Sequence, residues 1–82
     1  MKKEDIEITI GEHERSKDEK IVVRARRFKG RWYGDLRLWY RGDDGWHPTA
    51  KGISLRPSEI VAASCALDKA MTAIADRDGG DR

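Results

Sequence analysis

At 82 residues the chain has room for one domain and not for two. A domain this small buries only about 60% of the surface its unfolded chain exposes; with Cys65 its sole cysteine it has no disulfide to compensate, so the missing burial is expected to come from a second copy of the chain. The sequence is 39% charged, has no apolar run near the roughly 20 residues of a membrane span, and begins MKKEDIEITI with no apolar secretion-signal core, which together with the lone thiol fits a reducing interior (cytoplasm or nucleoid, or a nucleus), with no membrane partner expected.

In chain order, residues 5–11 place Ile6, Ile8 and Ile10 at period two opposite Glu7 and Thr9, the pattern of a half-buried strand. The apolar-free run EHERSKDEK is expected to be an exposed connection. A second strand over 20–28 puts Ile21, Val23 and Ala25 on one face and Arg24, Arg26 and Phe28 on the other. Lys29-Gly30 is a two-residue turn candidate. The third strand, 31–41, sets Trp32, Gly34, Leu36, Leu38 and Tyr40 against Tyr33, Asp35, Arg37 and Trp39. RGDDG signals a second tight turn, and 46–55 returns as a fourth strand.

Pro57 suits the first position of a helix, and Glu59 in its first turn complements the dipole. Ile60, Ala63 or Ser64, Leu67, Met71 and Ile74 recur at spacings of three and four, so a helix is expected over 57–77, with a loose tail at 78–82. The apolar stripe packs on its own sheet; the heptad-like spacing of Ile60, Leu67 and Ile74 also suits a partner's helix. The expected fold is α+β: one domain over 1–82, with a four-stranded antiparallel sheet followed by a single C-terminal α-helix.

The charge is segregated. Residues 20–41 hold eight basic side chains (Lys20, Arg24, Arg26, Arg27, Lys29, Arg31, Arg37, Arg41) against Asp35 alone, interleaved with Phe28, Trp32, Tyr33, Trp39 and Tyr40. The first 19 residues are net acidic. Arg and Lys can simply solvate an open sheet face. They can also hold phosphates while aromatic rings take up unstacked bases, as single-stranded nucleic acid requires. Exposed sheets usually pair opposite charges across strands, and residues 24–41 offer almost no acids for that, which favours polyanion binding. Duplex readers more often present a basic helix, whereas the one helix here is acidic to neutral.

Phe28-Lys29-Gly30-Arg31, Asp35-Leu36-Arg37, Trp39-Tyr40, Asp43-Asp44-Gly45 and Lys51-Gly52-Ile53-Ser54-Leu55 before Pro57 occur in this order. Together they resemble the single-stranded-DNA-binding domain of the transcriptional coactivator positive cofactor four family, in a bacterial or phage-like form. The resemblance implies a curved sheet forming a channel for unpaired DNA and a homodimer whose helices meet at the two-fold axis, through Ile60, Leu67, Met71 and Ile74. It further implies a part in transcription alongside its machinery, and contacts from Arg26, Phe28, Lys29, Arg31, Arg37, Tyr40 and Lys51, with Arg24 and Trp39 on the same strands. In the family a stacking tryptophan stands where this chain has Tyr40. By parity Arg37 and Trp39 share a face and Tyr40 lies opposite, so either a bulge reorients Tyr40 or Trp39 does the stacking. Ala50 replaces a basic residue that often precedes Lys51 in the family.

His13 and His47 stand apart with no cysteine nearby, so no metal or other cofactor is expected. Cys65 reads as a small half-buried apolar residue. No nucleophile and base show catalytic spacing, so enzyme activity is not expected. The alternatives to a single-stranded DNA binder are a single-stranded RNA binder and a protein-interaction module that docks an acidic partner.

Overall fold

In the computed structural model, which describes residues 5–78, the chain forms four strands and one helix: β1 (Ile6–Glu14), β2 (Glu19–Phe28), β3 (Arg31–Gly42), β4 (Gly45–Leu55) and α1 (Pro57–Asp78). The strands form one antiparallel sheet in the order β1-β2-β3-β4, each paired with its sequence neighbours. Lys29 and Gly30 both adopt positive φ (53° and 80°), as a type I′ hairpin turn demands, and join β2 to β3 in unbroken register.

Two irregularities shape the sheet. In β1 the register with β2 slips between Thr9 and Gly11. In β4 it slips against β3, so that Arg37 faces Gly52 while Trp39 faces Pro48, leaving the Thr49–Lys51 segment opposite Leu38. The extra residues bend β4. Thr49 secures the bend, its hydroxyl donating to the Leu38 carbonyl (2.7 Å) and accepting from the Lys51 amide (3.1 Å). Gly52 is required there, because a Cβ would lie 2.7 Å from the Leu36 carbonyl oxygen and 2.8 Å from the Arg37 Cα.

β1 runs three residues beyond the expected strand. Glu12, His13 and Glu14 pair with Val22, Ile21 and Lys20, so the exposed connection shrinks to residues 15–18. Both faces of this edge segment are exposed, so its side chains carry no apolar alternation, and backbone pairing, with one cross-strand ion pair from Glu12 to Lys20, makes it a strand. The helix reaches Asp78, one residue past expectation; the rest of the expected tail lies outside the described residues. Arg56 caps α1: its amide donates to Glu59 Oε1 (2.8 Å) and its carbonyl accepts from the Ile60 amide (2.9 Å), with Pro57 at the first helical position.

Burial is inverted relative to an ordinary half-solvated sheet. The one buried hydrophobic side chain among the described residues is Val22 (2% exposed), on the same face as the buried Asp35 and Lys20. The opposite face carries Ile8, Val23, Leu36 and Ile53, all exposed, Ile53 at 53%. α1 begins on that face, with the Ile60 side chain filling the space above Gly34, where a Cβ would lie 2.7 Å from Ile60 Cδ1. Beyond this first turn it leaves the sheet: Leu67 is 62% exposed, and Met71 and Ile74 are also exposed. The sequence-based expectation that the stripe packs on its own sheet therefore holds only at Ile60. Cys65 is exposed, not half-buried as expected. No helix among the described residues is long and apolar enough to cross a membrane.

Candidate nucleic-acid interface

Strand alternation and unbroken pairing determine which side chains meet. Lys20, Val22, Arg24, Arg26 and Phe28 of β2 stand opposite Trp39, Arg37, Asp35, Tyr33 and Arg31 of β3, all on one face. Across the next ladder this face continues to Ser54, Gly52, Pro48 and Trp46 of β4. Of the sequence-predicted residues, Arg24, Arg26, Phe28, Arg31, Arg37 and Trp39 are thus brought together. Lys29 sits at the adjoining turn, and Lys51 is exposed in the bend of β4.

Tyr40 is not brought in. The irregularity lies in β4, and β3 keeps strict alternation against β2, so Tyr40 stays on the opposite face with its ring 5.4 Å from that of His47. Trp39 takes the place on the basic face. His47 is turned toward Asp44 (Nε2 to Oδ1, 2.6 Å), and that hydrogen bond holds the Asp44 carboxyl below its ordinary range.

Asp35 organises the centre. It is fully buried, accepts two hydrogen bonds from Arg37 (Nε to Oδ2, 3.1 Å; Nη2 to Oδ1, 2.9 Å) and one from the Ser54 hydroxyl (2.9 Å), and lies 4.0 Å from Arg24 Nη2. Burial by itself pushes this carboxyl up; the hydrogen bonds from Arg37 and Ser54 and the charges of Arg37 and Arg24 outweigh it and hold the carboxyl below the usual range. Arg37 also donates to the Thr49 carbonyl (2.8 Å). Its guanidinium is therefore occupied on both sides, which gives it a positioning role between β3 and β4 and takes it out of the set of free cations.

The acids expected to be missing come from β1. Glu7 reaches Arg24 (Oε1 to Nη1, 2.7 Å) and Arg26 (Oε2 to Nη2, 3.1 Å), and Glu12 reaches Lys20 (2.8 Å). The expectation that the basic strands lack cross-strand compensation is thus corrected. Residues 24–41 are poor in acids because the partners belong to β1. Among the described residues, Arg27, Lys29, Arg31, Arg41 and Lys51 make no ion pair, and Arg27 lies on the opposite face.

Cations and rings alternate along the face. Arg24 lies over Trp39 (5.2 Å), Lys20 between Trp39 and Trp46 (5.9 and 4.7 Å), and Arg41 beside Trp46 (5.9 Å). At the other end Lys29 stands 5.4 Å from the Phe28 ring. There Arg26, Phe28, Tyr33 and Ser54 line an open cavity of about 310 Å³. Arg24 Nε, Arg26 Nε and Trp39 Nε1 are buried donors without a hydrogen-bond partner among the described residues. Lys20 and Arg41 belong to the basic stretch but not to the expected contacts, and Trp46 to neither, although Lys20 shares the parity of Arg24 and Arg26, and Trp46 faces Arg41 across the second turn.

Cations alternating with aromatic rings on one β-surface are the combination by which nucleic-acid-binding domains hold phosphates and bases. Residues 15–62 match the sequence model of the family described as Transcriptional Coactivator p15 (PC4), and the chain belongs to that family. Its structure is similar to the crystal structure of a PC4 homolog from Burkholderia pseudomallei, with a TM-score of 0.70 and 32% sequence identity over 85% of this chain and 89% of that one. No curated protein sequence matches the chain.

Proposed function

We propose that this protein is a homodimeric, sequence-tolerant single-stranded DNA-binding protein that acts in transcription, in the cytoplasm or nucleoid, without catalysing a reaction. The observation that carries the reading is the alternation of cations and rings on one face, from Phe28 and Tyr33 at one end to Trp39 and Trp46 at the other. Phe28 lies eight residues on from Lys20 along β2, about 27 Å of strand, enough for several extended nucleotides. Arg26, Arg31, Arg41 and the flanking Lys29 and Lys51 hold phosphates. Bases enter the cavity between Phe28 and Tyr33, and stack on Trp39 or Trp46. The exposed apolar stripe of α1 and the exposed apolar face of the sheet support the homodimer, since a second copy would cover both.

Fluorescence anisotropy with a labelled unstructured oligonucleotide of about 20 nucleotides tests the reading. With about five phosphates neutralised, log K falls against log[salt] with a slope near −3.5, from roughly −0.7 per contact, and the matching duplex fails to compete. Preference for the RNA of the same sequence would move the assignment to RNA. Absence of binding at low salt would leave the acidic-partner reading in its place.

A further inference from the structure

The two arginines at the centre of the proposed DNA face are bridged by a single carboxylate. Glu7 places one oxygen 2.7 Å from Arg24 and the other 3.1 Å from Arg26, so its two oxygens span neighbouring guanidinium groups as two oxygens of a phosphate would. Glu12 repeats the contact at Lys20, which stands between Trp39 and Trp46. Both acids lie on β1, an edge strand of the sheet, and their side chains are 47% exposed, whereas those of Arg24 and Lys20 are 12% and 11% exposed. Arg24 and Lys20 are held, Arg26 is 34% exposed, and the acids can turn outward into water by side-chain rotation with no movement of the backbone.

We infer that Glu7 is an intramolecular competitor for the nucleic-acid backbone: it occupies the seat between Arg24 and Arg26 that a phosphate takes on binding, and Glu12 does the same at Lys20. The inference rests on the single-stranded DNA reading. It gives β1 a function outside the matched segment 15–62: raising the threshold for binding, so that a lone phosphate does not displace the carboxylate, while a polyanion engaging many cations at once does.

The test compares the intact protein with E7Q, E12Q and E14Q. Glu14 is on β1 and makes no ion pair among the described residues, so E14Q removes the same charge without freeing a cation. Melting curves establish that each variant is folded. E7Q is expected to bind a 20-nucleotide single strand about two- to fivefold more tightly at low salt, the worth of a partly exposed pair. Its salt slope should steepen by about 0.7 for the added contact. E12Q should do the same and E14Q should match the parent. Equal gains in all three variants would reduce the effect to net charge and overturn the inference. Weaker binding by E7Q would make Glu7 a positioning residue for the arginines and overturn it as well. If neither parent nor E7Q binds, the DNA-binding reading itself falls; if both bind alike, only the competitor role does.

Discussion

Asp35 and Lys29 show how single residues divide between holding the fold and meeting a ligand. Asp35 is the fully buried anion on which Arg37, Ser54 and Arg24 converge. Removing one partner of a buried pair leaves the other charge uncompensated, at a cost of about 3 kcal/mol, so Asp35→Ala should lower the urea midpoint sharply. Its depressed carboxyl also ties stability to pH. Such a group contributes fully above the unfolded value near 3.8, and the contribution is lost as pH falls through the lower folded value. Acid unfolding followed by circular dichroism should show this loss below about pH 4, and Asp35→Asn should remove it. Lys29 is the reverse case, a non-glycine residue with φ 53°. A lysine there costs about 1–2 kcal/mol relative to residues that tolerate the left-handed region. Lys29→Asn should therefore raise the melting temperature while weakening DNA binding and reducing the salt slope by about 0.7.

For the secondary-structure elements, most of the architecture was legible in the sequence because alternation and turn chemistry agree. Lys29-Gly30 and Asp43-Asp44-Gly45 punctuate apolar alternation, and Pro57 with Glu59 marks the start of the helix. What escaped has a common physical origin, since pairing register is not written in one strand alone. The end of β1 is an edge wet on both faces, and the bend at Thr49–Lys51 is visible only against β3. For the same reason neither the partners of Arg24, Arg26 and Lys20 nor the face of Tyr40 can be read from one strand alone. The bend also yields a test. At Gly52 a methyl group would collide with backbone atoms of Leu36 and Arg37, which cannot rotate away. Gly52→Ala should cost about 1–3 kcal/mol in chemical denaturation and perturb the amide resonances of β3 and β4 more than those of β1.

Across the whole molecule, apolar surface is displayed that no other described residue covers. Ile53, Leu67, Met71 and Ile74 are exposed together with Val23 and Leu36, whereas the charged face is the crowded one. A homodimer would bury this surface and link folding to concentration. Sedimentation equilibrium should give twice the 9.4 kDa chain mass, and Leu67→Asp should lower both the mass and the melting temperature. A melting temperature independent of protein concentration in the parent chain would count against the dimer.

The strand order has a consequence for how the molecule assembles in time. Every ladder joins strands adjacent in sequence, and the intervening connections are 15–18, Lys29-Gly30 and Asp43-Asp44. Closing such short loops costs little chain entropy, and isolated hairpins form within about 1–10 μs. Yet with Val22 as its one buried hydrophobic residue among those described, the finished sheet has little to hold it. Refolding should accordingly separate into a fast unimolecular phase, in which strand structure appears and dissolves, and a slower phase whose rate rises with protein concentration as two chains capture each other.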